Sequence, residues 1–419
     1  MMDLSPLRIS RDFRLIFSAS TVSGFGSYIS LITIPYQVAQ MTDDPLMVGL
    51  LGVAELVPLI IMSFVGGALA DYVDRRRLVL ISEAALAVLA LVLLLNSLLA
   101  DAHLWVLFGV AGLTAAFEGI QRPALEGTIP RVVPLEKLPA AIALNSLSGQ
   151  VRQLAGPGLA GVLMATVDLH WVYAFDLLTF VVSLCCLWLV RAVPPPPAAE
   201  RPSVRSVITG IRYARSRPEL LGTYLVDINA MFFAMPSALY PFMADDLGGP
   251  EVLGLLYAAP AIGSMLASLT SSWTGRIHRH GLMVVLAAGA WGVGIIGAGL
   301  ATSLWLVVAC LAFAGAADMI SGVFRMTIWG QTVPDHLRGR LAGIEMISYS
   351  VGPLLGGTRA GLVARVTGVS GSIVTGGILC VLGTVVLAAA LPSFLRYDGR
   401  DGLERKRAAD REWAARSTA

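Results

Sequence analysis

Two acidic residues lie inside long apolar stretches, where each could carry a proton. Glu55 lies in the stretch 46–70 with no lysine or arginine within about one helical turn, and Asp227 lies in the stretch 219–243. A carboxyl group that leaves water is more stable in its neutral form, so it can take up and release a proton. Both are therefore candidates for proton coupling. A hydrogen bond to a neighbouring helix explains Glu55 equally well, and Asp227 could instead face a cavity.

Other charged residues in apolar stretches have simpler explanations. Glu118 and Arg122 are four residues apart and share one helical face, which predicts a buried charge pair. Arg359 could attract an anionic molecule or pair with an acid, but extension of its long side chain to the membrane interface explains it as well. Four further acids lie nearer the ends of their stretches, where structural ion pairs are expected: Glu83, Asp176, Asp318 and Glu345.

Aromatic and polar residues in the apolar stretches could line a cavity for a ring-bearing compound. Packing against lipid or in the protein core is the common alternative for any one aromatic side chain. With Arg359 included, the candidates for such a cavity are Tyr36, Asn229, Phe233, Tyr257 and Arg359.

Metal, disulfide and nucleotide chemistry is not favoured. The four cysteines all lie in apolar stretches, there are five histidines, and no acidic cluster has metal-ligand spacing. No GxxxxGK[ST] motif is present, so an ATP-driven pump within this chain is not expected, although a separate ATPase subunit stays open. We expect no cofactor, no metal and, for want of a convergent catalytic set, no enzymatic activity.

The elements that must hold these residues are membrane helices. The 419 residues are 56% hydrophobic and 14% charged, with a mean hydropathy of +0.74. A bilayer requires about 20 apolar residues per helix. The sequence supplies twelve such stretches, near 15–38, 46–70, 78–99, 104–125, 139–166, 171–191, 219–243, 252–274, 282–300, 303–328, 340–364 and 370–392. The first has no small-residue cleavage site and is expected to be a retained helix.

The distribution of basic residues predicts the orientation. Arginine and lysine cluster before the first stretch, after each even-numbered stretch and in the tail, at 8–14, 75–77, 131–137, 201–217, 276–279, 338–340 and 396–416. The opposite loops at 40–45, 100–103, 167–170 and 244–251 carry none, which leaves Arg365 as the clear exception. Since basic loops stay in the cytoplasm, both termini are predicted to be cytoplasmic. Lysine occurs only at Lys137 and Lys406, which favours a GC-rich bacterial source and an inner membrane.

The stretches form two groups of six that echo each other. The sequence GIQRPALEGTIP (119–130) corresponds to GVFRMTIWGQTVP (322–334), and GPGLAG (156–161) corresponds to GPLLGG (352–357). A parallel duplication of a six-helix unit explains this order, and a site is then expected between the halves. The predicted organisation is a first half at 1–191, a proline-rich cytoplasmic linker with a basic helix at 192–218, a second half at 219–393 and a charged tail at 394–419.

Twelve helices in two halves, with a charged turn after the second, resemble the major facilitator superfamily over almost the whole chain. The stretch GGALADYVDRRRL (66–78) is similar to that family's loop motif. The residues that match it are Gly67, Asp71, Arg75 and Arg76. Tyr72 stands where a basic residue is usual, and Asp74 where glycine is usual. The resemblance implies a latch that closes the cytoplasmic ends of the halves, whereas the plainer explanation is that the arginines only enforce topology.

The Gly-Pro elements resemble a motif of exporters that exchange protons for substrate. They comprise Gly156, Pro157 and Gly161 in the fifth stretch and Gly352, Pro353, Gly356 and Gly357 in the eleventh. Ala160 replaces one expected glycine. Proline removes a helical hydrogen bond and glycine permits bending and close contact, so these elements are predicted to bend their helices.

The sequences RPALEGTIPRVVPLEKLPAAIALNSL (122–147) and GLLYAAPAIGS (254–264), with the PPPP linker, are similar to the branch of enterobactin exporters and macrolide efflux proteins. The resemblance implies proton-driven export of a siderophore or an antibiotic-like compound by alternating access. The expected partners are a small molecule, protons and lipid, without nucleic acid, and a monomer is expected. An importer of the same fold is the main alternative, followed by a non-transporting receptor.

Overall fold

The computed structural model describes residues 3–193, 212–333, 338–404 and 406. Within these ranges the protein is built from long helices and contains no β-strand. They are α1 Arg11–Thr42, α2 Pro45–Tyr72, α3 Arg75–Ser97, α4 Leu104–Val132, α5 Leu138–Thr166, α6 Leu169–Trp188, α7 Pro218–Leu247, α8 Pro250–Leu269, α9 His280–Leu300, α10 Leu304–Thr332, and Arg338–Ala390. The last comprises α11 (338–367) and α12 (369–390), because Gly368 adopts φ 75° and ψ 171° between them.

These helices confirm the predicted all-α membrane fold with twelve spans. Ten helical stretches of the described chain are long and apolar enough to cross a bilayer, and one of these, Ser348–Ala390, contains both α12 and most of α11. α5 is not among the ten, although it has 29 residues. Polar residues in its segment 145–153, NSLSGQVRQ, lower its hydropathy.

Helix ends extend beyond the apolar stretches because polar residues cap them. α1 begins at Arg11, four residues before the predicted start, and the Ser10 hydroxyl accepts a hydrogen bond from Phe13 N at 3.1 Å. α2 begins at Pro45, where the Asp44 carboxylate accepts from Leu46 N at 3.0 Å. Caps satisfy backbone N–H groups that the helix itself leaves unpaired.

The chain divides into two compact units. Unit 1 comprises Met1–Arg201 and Tyr240–Ala258, and unit 2 comprises Pro202–Leu239 and Ala259–Ala419. The predicted halves differ from these units in one segment, since residues 240–258 group with unit 1. The predicted linker lies largely outside the described residues, as does the end of the tail.

Small residues bring the helices of unit 1 into close contact. A Cβ on Gly66 of α2 would lie 2.5 Å from the Cα of Ile120 in α4. A Cβ on Gly119 of α4 would lie 3.0 Å from Ser63 N in α2. Since lipid is as apolar as the helices, such close packing is a main source of helix association in a membrane. α2 and α4 are thereby held at a fixed separation.

Unit 2 uses the same packing. A Cβ on Gly263 of α8 would collide with the backbone of Ala312 in α10, and Gly292 of α9 lies against Gly377 of α12. Buried apolar side chains of α7, α9 and α10 form a core that includes Val226, Val284 and Phe324. These contacts fix α7 and α10, which carry the charged groups of this unit.

Candidate functional site

Unit 1 contains a cavity of about 320 Å³ whose lining includes three acidic side chains. We call it the acidic cavity. Glu55 comes from α2, Glu118 from α4 and Asp176 from α6, and α1 contributes Tyr28 and Ser30. No lysine, arginine or histidine of the described chain lines it. Three carboxyl groups from three helices therefore share one space without a basic residue in its walls.

Asp176 is the most enclosed of the three acids. Its residue surface is 2% exposed, and the Ser30 hydroxyl of α1 donates a hydrogen bond to Oδ2. Oδ1 has no hydrogen-bond partner among the described residues. The sequence analysis expected a structural ion pair here, but no described cation contacts this carboxyl group. That expectation was wrong because the Asp176 carboxyl group faces Ser30 of α1, which is 146 positions away in the sequence.

Glu55 and Glu118 complete the cavity wall. Glu55 is half-buried, and the described contacts give its carboxyl group neither an ion pair nor a hydrogen bond. Glu118 is exposed to the cavity. Arg122 Nε lies 3.1 Å from Glu126 Oε1, on an exposed part of α4. The structure thus describes an ion pair between Arg122 and Glu126, and the predicted pair with Glu118 stays a prediction.

A fourth acid of unit 1 lies closer to the arginine-rich turn at residues 75–77. Glu83 of α3 is 2% exposed, and the Gln121 side-chain amide donates a hydrogen bond to its Oε2. Oε1 has no partner among the described residues. The Glu83 carboxyl group is thus hydrogen-bonded to the Gln121 amide, whereas the sequence predicted an ion pair with a basic residue.

Asp227 of unit 2 has a different environment. Arg325 of α10 forms an ion pair with Asp227 of α7 and contacts Asp318 at 3.3 Å between Nη2 and Oδ1. The Asp227 side chain is 8% exposed. The structural ion pair predicted for Asp318 is confirmed. Arg325 belongs to the repeated Gly-x-x-Arg element, and that repetition was the sequence signal that could have identified it as a site residue.

Arg325 and Asp227 also line a second cavity, of about 290 Å³, which we call the Arg325 cavity. Its other walls include Tyr224 of α7, Trp329 of α10, and Glu345 and Ser348 of α11. All of its lining residues belong to unit 2. None of them was a predicted cavity residue, apart from Asp227.

Two predicted cavity residues hold helices together instead. The Asn229 side-chain amide donates to Cys380 O at 2.9 Å and to Thr384 Oγ1 at 3.2 Å, both in α12. Arg359 donates to the main-chain carbonyl of Phe233, near the point where the regular helix of α7 ends at Ala234. Helix ends leave carbonyl groups without an intrahelical partner, and the guanidinium satisfies one of them. In this structure both side chains therefore serve helix packing.

The predicted aromatic residues lie apart from both cavity linings described above. Phe233 packs edge-on against Phe232, with ring centroids 5.0 Å apart. Tyr257 packs edge-on against Tyr240 at 4.8 Å. Tyr36 is half-buried in α1. A role for these rings in binding substrate stays a prediction.

The Gly-Pro elements lie at close helix crossings. In unit 1 a Cβ on Gly161 of α5 would lie 2.9 Å from the Cα of Gly254 in α8, and one on Gly156 would lie 2.7 Å from Tyr28 Cβ. In unit 2 Gly352 and Gly356 of α11 face Met231 of α7 in the same way. Gly357 is buried beside them, and α5 and α11 continue as helices through Pro157 and Pro353. The structure thus shows close helix packing at the Gly-Pro elements, and bending of α5 and α11 there stays a prediction.

We expect Gly161→Val to destabilise the protein, because its added side chain would push α5 away from the backbone of Gly254. Overpacking of this kind costs about 1–3 kcal/mol. Gly158→Val is the matched control, since a Cβ on Gly158 has nothing within 4 Å. Thermal unfolding of the two purified variants in detergent measures the difference. Equal midpoints for both variants would contradict the role of the crossing.

Arg75 and Arg76 of the predicted latch bind main-chain carbonyls of unit 1. Arg75 donates to Gly127 O in α4, and Arg76 donates to Leu187 O and Trp188 O at the end of α6. Gly67 faces open space. The side chain of Asp71 lies outside the described residues. The described contacts of the two arginines thus fasten α3 to its neighbours within one unit.

A family model described as transmembrane secretion effector matches residues 1–404. The chain belongs to this family. The transmembrane secretion effectors are major facilitator superfamily transporters and not enzymes, which agrees with the sequence-based expectation. The protein is therefore a multi-pass inner membrane protein of a family whose substrates are small molecules.

Curated relatives of this chain include enterobactin exporters. One from Shigella boydii is 27% identical over 393 residues, covering 92% of this chain and 94% of the relative. One from Escherichia coli is 27% identical over 396 residues with the same coverage. The predicted resemblance to this branch is confirmed.

Solved structures share the fold at low sequence identity. A POT family transporter in complex with 5-aminolevulinic acid has a TM-score of 0.74 at 11% identity, covering 92% of this chain and 97% of that chain. A bacterial homologue of the human lysosomal transporter Spinster, in an inward-facing and unoccupied conformation, has a TM-score of 0.68 at 15% identity, covering 94% and 97%. These likenesses establish the fold alone.

Proposed function

We propose that this protein exports a siderophore or an antibiotic-like organic molecule across the inner membrane, driven by protons that enter the cell. The observation that carries the proposal is the acidic cavity. Glu55, Glu118 and Asp176 line one space whose described walls contain no basic residue. Holding several ionised carboxylates there is costly, so proton uptake is the available means of neutralising them.

Protonation of these acids supplies a mechanism for coupling. A proton that binds from outside removes a negative charge from the cavity, and its release to the cytoplasm restores that charge. The change alters the relative stability of states that open to one side or the other, as alternating access requires. Of the two proton-coupling candidates from the sequence, Glu55 is the preferred proton carrier, because the charge of Asp227 is already balanced by its ion pair with Arg325.

The direction of transport and the substrate class are supported by the relatives. The curated matches are named enterobactin exporters and align with 92% of this chain. A nucleoside transporter has the same fold. The fold alone therefore assigns neither the substrate class nor the direction of transport. Cytoplasmic termini, two six-helix halves and a monomeric state belong to the same proposal, and the distribution of arginine supports the orientation.

Accumulation in cells tests the proposal. A panel of siderophores and antibiotics is applied to cells with and without the protein, and again after an uncoupler has collapsed the proton gradient. We expect lower accumulation of one class of compound in the expressing cells, and the uncoupler should abolish the difference. Higher accumulation would identify an importer, and a difference that resists the uncoupler would exclude proton coupling.

We expect Asp71→Asn to impair transport if the turn at residues 66–78 forms the latch, because the amide lacks the negative charge that such a contact needs. Asp74→Asn is the control within the same turn. Asp74 caps α3 by accepting from Arg77 N at 3.3 Å, and asparagine caps helices about as well as aspartate. Initial transport rates of the two variants at matched expression are compared. Unimpaired transport by Asp71→Asn would rule out the latch.

A further inference from the structure

Glu83 belongs to a polar layer that lies one helical turn away from the acidic cavity. Each of four helices of unit 1 contributes one residue to this layer, and each of these residues is three or four positions from a residue that lines the cavity. Three to four residues make one turn of about 5.4 Å, so the layer has the same depth on all four helices. The pairs of layer and cavity residues are Ser23 and Ser27 in α1, Glu83 and Leu86 in α3, Gln121 and Glu118 in α4, and Ser183 and Phe180 in α6.

The Glu83 carboxyl group is the centre of the polar layer. The Gln121 amide donates a hydrogen bond to it, and the hydroxyl groups of Ser23 and Ser183 face the same carboxyl group. The described contacts give Glu83 no cationic partner, and the residue is only 2% exposed. An ionised carboxylate is costly in such surroundings. Glu83 is therefore a position at which a proton can be held.

An apolar layer closes the polar layer on the side of the arginine-rich turn at residues 75–77. Its eight residues come from the same part of unit 1 and pack as one buried cluster. They are Ile16 and Ala19 of α1, Leu78 and Val79 of α3, Ile120 and Ala124 of α4, and Leu187 and Val190 at and after the end of α6. None of these side chains can donate or accept a proton. In this structure the apolar layer therefore separates Glu83 from the helix ends at the arginine-rich turn, which the proposed orientation places in the cytoplasm.

We propose that Glu83 is the inner station of a proton path, where a proton from the acidic cavity is held until the apolar layer opens toward the cytoplasm. Glu83 is near enough to Glu118 and Asp176 to act on them electrostatically. A serine hydroxyl of the polar layer accepts a proton on its oxygen and passes its own proton to Glu83, so only O–H bonds form and break. The direction of proton movement rests on the proposed function, whereas the path itself does not.

A polar substitution in the apolar layer tests the path, with the proton itself as the probe. Full-length Leu187→Asn is placed in proteoliposomes with an internal pH dye, the membrane potential is clamped with potassium and valinomycin, and a pH jump is applied without substrate. We expect faster proton entry than in wild type, because water follows the new amide into the apolar layer. Adding Glu83→Gln should slow this entry at least about tenfold, since a positioned proton-transfer group contributes that much or more.

Two outcomes of this experiment would overturn the proposal. Proton entry through Leu187→Asn that is unchanged by Glu83→Gln would show that protons bypass Glu83. Proton entry at the wild-type rate in Leu187→Asn would show that the apolar layer does not seal the path. Val79→Thr keeps the shape of its side chain and is the second variant of the layer, with the same expected order of rates.

Matched controls assign the effect to this path. Leu107→Asn makes the same change at a fully buried position of α4, one turn from the cavity residue Val110 on the side away from Glu83, and should leave proton entry at the wild-type rate. Glu83→Asp in the Leu187→Asn protein keeps a carboxyl group and should retain most of the proton entry. Equal entry through Leu107→Asn and Leu187→Asn, or loss of entry with Glu83→Asp, would contradict the assignment.

The single variant Glu83→Gln separates this proposal from the proposed function. It should slow pH-driven flux, whereas Glu136→Gln makes the same change at an exposed position and should not. Normal flux in Glu83→Gln, together with loss of flux in Glu55→Gln, would overturn the role of Glu83 alone. Proton entry that depends on Glu83, in a protein that exports no compound, would instead count against the export function alone.

Discussion

Glu55→Gln is expected to reduce proton-driven transport to the level of empty liposomes. Glutamine has nearly the same volume as glutamate but cannot exchange a proton, so the acidic cavity loses its principal carrier. Exchange of substrate across the membrane without a pH gradient should persist, because the fold and the substrate path are unchanged. Both quantities are measured in proteoliposomes that contain the purified variant, with flux initiated by a pH jump.

A matched control separates coupling from general damage. Glu136→Gln makes the same change in the exposed short helix Leu135–Lys137, outside the cavity, and should transport normally. Asp176→Asn and Asp227→Asn test the other acids under the same conditions. Full pH-driven flux in Glu55→Gln, with loss in one of these two, would transfer the coupling role to that residue.

Arg325→Met is expected to destabilise the protein by about 3–5 kcal/mol, because it leaves Asp227 as a buried charge without a partner. The Asp227 side chain is 8% exposed and that of Arg325 is 20% exposed, so both charged groups are largely withdrawn from bulk water. Thermal unfolding in detergent measures the loss through the fall in the midpoint.

The double variant Asp227→Leu with Arg325→Met isolates the cause. It removes both charges and should recover much of the stability, as replacement of whole buried ion pairs often does. Arg122→Met is the exposed comparison, since the Arg122 and Glu126 side chains are 58% and 68% exposed, and it should cost less than about 1 kcal/mol. A double variant as unstable as the single one would show that packing, and not charge, causes the loss.

The fold could be predicted because the bilayer imposes a length on each helix. Twelve apolar stretches and the alternating basic loops gave the number of helices before any contact was known. Helix ends were less accurate, as for α1, since the caps at Ser10 and Asp44 extend helices beyond the apolar part. The grouping of residues 240–258 with unit 1 was not predictable, because it depends on contacts such as that of Gly254 with Gly161.

The candidate sites could be predicted only in part. An isolated carboxyl group in an apolar stretch identified Glu55, but only the folded chain reveals that Asp176 and Glu118 share its cavity. Asn229 and Arg359 looked like substrate contacts because polar residues in a membrane suggest function. Their partners are the backbone carbonyls of Cys380 in α12 and Phe233 in α7, together with the Thr384 hydroxyl, and the positions of these groups depend on how the helices pack.

Proton movement during transport tests the central claim most directly. Proteoliposomes containing the wild-type protein and an internal pH dye are given an imposed pH gradient, and a substrate identified in the cell assay is added on one side. We predict that the substrate dissipates the gradient in wild-type liposomes and leaves it intact with Glu55→Gln. Substrate flux without any change in internal pH would contradict proton-coupled export.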